Sequence, residues 1–91
     1  MKNLIKDNYQ SIVDRGLITP NTYFQEFIDK IKEETEELQL AKIFYDSDNI
    51  KEELADVIMV CLNMAKHYDI DIINEIEKKI KVNQQRAKDG K

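Results

Sequence analysis

The stretch EELADVIMVCLNMA (residues 52–65) decides the fold. In its second half, residues 57–65, Asn63 is the single polar side chain. Wound as a helix, that half is apolar nearly all round, which fits a helix buried on more than one side. The main stripe runs through Ile50, Leu54, Val57, Ile58, Cys61, Ala65 and Tyr68. Glu53 borders this stripe and Asp56 lies further round on the same side, an i, i+3 pair projecting together. Ninety-one residues make one domain and a modest core. So few residues do not easily surround such a helix, and a partner subunit is expected to cover its remaining face.

Working outward, breakers divide the chain into four helices. Gly16 ends a first segment over residues 3–15, whose Leu4, Ile5, Ile12 and Val13 suggest a short amphipathic helix. Thr19-Pro20 reads as an N-cap with proline at the first helical position. A second helix is expected over residues 20–45, carrying Phe24, Phe27, Ile28, Ile31, Thr35 and Leu38 at helical spacing. In the turn DSDN (residues 46–49), Asn49 with Glu52 resembles a capping box for the third helix, which should reach Tyr68. Asp69 or Asp71 caps a fourth helix extending to Lys88, with Ile73, Ile76 and Ile80 inward. No segment alternates as a strand would. The chain is predicted to be all-α, a four-helix bundle completed by oligomerisation, with residues 89–91 as a frayed tail.

The second helix carries KEETEELQLAK (residues 32–42), with Glu33, Glu34, Glu36 and Glu37 in one cluster. A solvated helix face is the plain explanation. It suits Glu33 and Glu36, which turn away from the apolar stripe. It suits Glu34 and Glu37 less, because at about 100° per residue these border the stripe. Packed antiparallel across the 46–49 turn, Glu34/Glu37 and Glu53/Asp56 can face each other. Four converging carboxylates repel without a cation, and all-oxygen ligation favours Mg²⁺ or Mn²⁺ over zinc.

The fourth helix offers the opposite charge. Asn83 falls on the apolar face seven residues after Ile76, with Lys79 and Arg86 beside it, while Lys78, Lys81 and Lys88 point elsewhere. A lysine, an amide and an arginine on one side suit phosphate oxygens and one recognition contact. Alternatively, Asn83 bonds a neighbouring helix and the basic residues are solvated.

Composition removes several function classes. The net charge of −4 disfavours nucleic-acid binding. Lone Cys61 forms no internal disulfide and fits a reducing, cytoplasmic setting. No run is long enough for a membrane span, and the first ten residues lack a secretory signal's apolar core. A di-iron bundle wants Glu-x-x-His, but Met64 stands three residues before His67. A calcium loop starting at Asp46 would need glycine at Lys51 and glutamate at Val57. One Cys and one His argue against a zinc site.

The ordered set EETEE (residues 33–37), then Glu53-Leu-Ala-Asp56, then Lys79-Ile-Lys-Val-Asn83-Gln-Gln-Arg86 resembles the signature of the MazG-like all-α nucleoside triphosphate pyrophosphohydrolases. The resemblance spans residues 24–86. It implies a dimer or tetramer and Mg²⁺-dependent hydrolysis between the α and β phosphates, giving monophosphate and pyrophosphate. It assigns Glu34, Glu37, Glu53 and Asp56 to the metal, Lys79 and Arg86 to phosphates, and Asn83 to substrate contact. Glu37, furthest from the core, is the choice for accepting the water proton. Some relatives stack the base on tryptophan and carry tyrosine four residues after the ExxD aspartate. Here there is no tryptophan, and Val60 stands at that position. Asp56, Val60, Asn63 and His67 line one side of the third helix and are placed to lie along a nucleotide, although His67 reads first as a surface residue at the helix end. The rival readings are a non-enzymatic helical interaction module and, within the superfamily, a phosphoribosyl-ATP pyrophosphohydrolase-like enzyme.

Overall fold

Alternating steps of four and three residues build the central seam. On α2 (Phe24–Ile43), Phe27, Glu34 and Ala41 are buried, with Ile31 and Leu38 half-buried between them. That spacing keeps one face turned toward a neighbouring helix. The neighbour is α3 (Ser47–His67), which runs back along α2, and α1 (Lys2–Asp14) packs across α3. The fourth helix, α4, spans Ile72–Lys88. The structure is a computed structural model describing residues 2–44 and 46–90, and among these there is no strand.

Local chemistry sets the helix ends. Gly16, at φ 74°, closes α1: its N–H donates to the Val13 carbonyl and the Leu17 N–H to that of Ile12. This paired arrangement needs a left-handed residue, which glycine adopts without strain. At the end of α3, Asp69 takes the same role at φ 54°, with Ile70 N–H donating to the Ala65 carbonyl. The cap of α4 is therefore Asp71, whose carboxylate accepts from the Asn74 N–H.

Two expected starts move. The helix expected from Pro20 begins at Phe24, because Thr19 and Thr22 close a separate turn. The Thr19 hydroxyl accepts from Asn21 N–H, and the Thr22 hydroxyl from Thr19 N–H. Glu26 then reaches back to the Tyr23 N–H at 2.8 Å and starts the helix. Its expected end at Tyr45 lies outside the described residues. For α3 the cap is Asp46 rather than Asn49: the Asp46 carboxylate accepts the Asn49 N–H and places Asn49 inside the first turn.

A larger correction concerns α3. Of the predicted stripe Ala65 is buried and Ile50 and Val57 are half-buried, but the inward side is centred instead on Glu53, Asp56, Val57, Val60, Asn63, Met64 and His67. Leu54, Ile58 and Cys61 are exposed. Phe24 and Thr35 of α2, expected inward, are exposed too. The acidic and amide groups sit inside the fold, and an apolar ridge is left outside.

The other correction concerns α4, which buries none of its residues. Ile73 is half-buried, but Ile76 is 45% and Ile80 49% exposed. The core proper is small: Ile5, Ile18, Phe27, Ala41 and Ala65. The chain exposes 7220 Å², about 1,700 Å² more than a compact protein of this mass. Its radius of gyration is 15.6 Å, against about 12 Å for a compact chain of this length.

Candidate metal centre and the cavity beside it

Glu34 is the hinge of the site. It occupies a seam position on α2, only 7% exposed, opposite Glu53 and Asp56 one turn apart on α3. Ligand oxygens of Glu34, Glu53 and Asp56 all lie within 4.8 Å of one another, and those of Glu33, Glu34 and Glu37 form a second such group. Of the four carboxylates assigned by resemblance, three share the inner group. Glu37, exposed, joins the outer one through Glu34. Glu33, which the wheel turned outward, joins it too. Glu36 belongs to neither group.

These carboxylates are short of partners. Oε2 of Glu34 and Oε2 of Glu53 are buried and accept no hydrogen bond. Such oxygens carry an uncompensated desolvation penalty, and an ion is one way to remove it. Burial pushes the Glu34 carboxyl above the usual carboxylate range, and the charges of Glu37 and Asp56 add to that. A hydrogen bond from Lys30 and its charge act the other way. Lys30 Nζ lies 3.2 Å from Glu34 Oε1 and 3.4 Å from Glu33 Oε1. The donor set is all oxygen and includes two unpartnered atoms, which fits a hard divalent cation. Sequence reasoning passed over Lys30, although its place four residues before Glu34 was a visible signal.

A cavity of about 470 Å³ opens beside the carboxylates. Glu34 and Asp56 line one part of it. Ile12, Leu17, Ile18, Phe27, Met59 and Val60 form apolar walls, and Asn8, Arg15, Lys30 and Asn63 add polar groups. Asp56, Val60 and Asn63 thus line one hollow. His67 does not. It is half-buried, receives a hydrogen bond from the Tyr9 hydroxyl on Nδ1 at 2.9 Å, and donates from Nε2 to the Thr22 carbonyl at 2.9 Å. The carbonyl can only accept, so Nε2 carries the proton. His67 is therefore a strut joining α1, the α1–α2 loop and α3, its ring tilted at 51° against Phe27 with centroids 4.9 Å apart.

Lys79, Asn83 and Arg86 stand exposed on α4, outside both carboxylate groups and outside the cavity lining. Within this chain α4 does not bring them to the acidic site. Lys78, expected to be turned away from them, pairs with Glu75 at 3.4 Å.

A helical seam holding buried, unpartnered carboxylates next to a hollow of about 470 Å³ defines an all-α protein with a candidate divalent-metal site. A family model described as the MazG-like family matches residues 25–91, well over half of the chain, and the protein belongs to that family. Comparisons with curated proteins and with solved structures give no match. No helix among the described residues is long and apolar enough to cross a membrane.

Proposed function

We propose that this protein is a Mg²⁺-dependent nucleoside triphosphate pyrophosphohydrolase, with Mn²⁺ able to substitute. One observation carries the reading: Glu34 Oε2 and Glu53 Oε2 are buried without partners, and Glu34 lines the cavity. Family membership supports the same reaction class. Glu34, Glu53 and Asp56 would hold the cation, with Glu37 completing the set from the solvent side. When bound, Mg²⁺ supplies charge neutralisation for the triphosphate and a lowered pKa for water.

The chain's own residues do the rest. Water adds to the α-phosphorus, the bond from that phosphorus to the α–β bridging oxygen breaks, and pyrophosphate leaves. Glu37, exposed and flanked by acidic neighbours, accepts the water proton. Lys30, already paired with Glu34, is a cation within reach of the same carboxylates. Lys79 and Arg86 contact phosphate oxygens and Asn83 the nucleotide, and α4 of a second copy delivers them.

That last step requires a homodimer or homotetramer. The excess accessible surface of about 1,700 Å² is roughly twice what each partner buries in a standard interface, so it supports one. Exposed, unpaired Cys61 fits a reducing cytoplasm. The test is a panel of common ribo- and deoxyribonucleoside triphosphates with Mg²⁺, assayed for pyrophosphate and monophosphate together. Equimolar release is expected for at least one substrate. Release of neither, with no Mn²⁺ stabilisation, would leave a helical interaction module instead.

A further inference from the structure

The cavity contains a polar pair that the proposed reaction does not use. Asn8 Nδ2 of α1 donates to Asn63 Oδ1 of α3 at 2.7 Å, and Asn63 is only 6% exposed. This is an amide pair in the lining of the cavity, which also holds Glu34 and Asp56. Whichever amide donates, their mutual bond leaves one carbonyl oxygen and three N–H bonds unused. No atom of either amide is both fully buried and unpartnered, so the unused groups are accessible to a ligand.

Position along α3 says which ligand. Asn63 lies seven residues from Asp56 on the same side of the helix, about 10 Å by helical rise. That is the reach of a nucleoside from its 5′ carbon to the far edge of its base. Between the two points Phe27, Met59 and Val60 offer apolar surface of the kind a flat ring packs on. Asn8 belongs to the segment that precedes residues 25–91, the part matched by the family.

We infer that Asn8 and Asn63 read the hydrogen-bonding edge of the substrate's nucleobase, so that α1 sets base selectivity. The remaining acceptor and donors suit a base edge that carries a donor next to an acceptor. This inference rests on the pyrophosphohydrolase reading.

The experiment measures kcat/KM across the triphosphate panel for wild type, Asn8→Ala and Asn63→Asp, the last nearly isosteric so that the seam stays packed. Wild type should prefer one base, and each variant should lower kcat/KM for it by about tenfold, moving the panel toward equal rates. Two controls separate the base from the phosphates: inhibition by inorganic tripolyphosphate and thermal stabilisation by Mn²⁺ should both match wild type. Variants that keep the wild-type base ranking would overturn the inference, as would a wild type with no ranking. Uniform loss across all bases together with weaker tripolyphosphate inhibition would also overturn it, since the pair would then act on the common part of the substrate. A wild type that binds Mn²⁺ but cleaves nothing rejects the parent reading instead.

Discussion

The α2–α3 seam and α4 are both amphipathic, and the chain treats them in opposite ways. In the seam, apolar and acidic residues share one inward face, and Glu34 is buried between Ile31 and Leu38. On α4 the isoleucines recur at helical spacing, yet Ile76 and Ile80 stay about half exposed. Periodicity reports that a face exists. It does not report what covers the face. The seam finds its partner within the chain because α3, capped by Asp46, folds back on α2. The connection into α4, through the left-handed Asp69 and the Asp71 cap, directs that helix away from the body. Ile58 belongs with α4 in this contrast: it lies on a packed helix but on the outer side.

The largest expected effect falls on the seam's acidic centre. Glu34→Gln, Glu53→Gln and Asp56→Asn each remove a charged ligand while nearly preserving shape. Each should lower Mg²⁺-dependent hydrolysis by at least about a hundredfold, more than loss of a group that merely orients a ligand. Glu36→Gln should leave activity within about twofold of wild type, as expected of an exposed surface change. Melting with and without Mn²⁺ is the companion measurement. Wild type and Glu36→Gln should gain stability by mass action, about 2.7 kcal/mol at a hundred times Kd, and the three seam variants much less. An equal loss of metal response in Glu36→Gln would remove the distinction between inward and outward glutamates.

Next come the uncovered faces. On a free surface Ile58→Lys and Ile80→Lys would each change stability by no more than about 0.5 kcal/mol. Covered by a second copy, an unpaired buried lysine costs about 3 kcal/mol or more, and the assembly should dissociate or unfold. Light scattering at micromolar concentration distinguishes the outcomes. A monomeric wild type would mean that α4 and the outer ridge of α3 are solvent faces after all.

Much of this was legible in the sequence, and the gaps have physical causes. Helix number and type follow from apolar spacing, and the inward lean of Glu34, Glu53 and Asp56 follows from their angular position beside apolar residues. What did not follow was the centre of the α3 seam. A helix that is apolar on nearly all sides has no unique inward direction, so the stripe through Leu54, Ile58 and Cys61 looked as inward as any. Tertiary packing chose the side bearing Asp56, Asn63 and His67. The Thr19-Pro20 start failed because a side-chain turn between Thr19 and Thr22 competes with a helix for the same backbone donors. Asn8 left no sequence signal, since its role depends on a contact fifty-five residues away.

A smaller effect is expected on α4. Lys79→Ala and Arg86→Ala should each weaken triphosphate binding by about tenfold or more, the loss of one charge-assisted contact, with circular dichroism unchanged. Lys78→Ala and Lys81→Ala serve as comparisons, Lys78 being engaged with Glu75. If all four variants weaken binding alike, α4 contributes only diffuse positive charge, and its contrast with the seam becomes one of charge sign rather than of specific sites.

The smallest effect is a pH dependence that the seam should show and α4 should not. Burial raises the Glu34 carboxyl above its unfolded value, with Glu37 and Asp56 adding to the shift and Lys30 opposing it. An acid whose pKa is raised on folding binds more protons in the native state. Its contribution to stability is therefore present below the unfolded value, about 4.3, and is lost as pH rises through the folded value. Metal-free protein should melt higher as pH is lowered from neutral toward that window, until other groups begin to titrate. Glu34→Gln should flatten this slope and raise the neutral-pH melting temperature, because the amide is never charged. Saturating Mn²⁺ should reverse the sign, since binding needs the deprotonated carboxylate. An α4 variant such as Lys79→Ala should keep the wild-type slope. If Glu34→Gln keeps it too, Lys30 already neutralises the site, and the two unpartnered oxygens do not strain the metal-free fold.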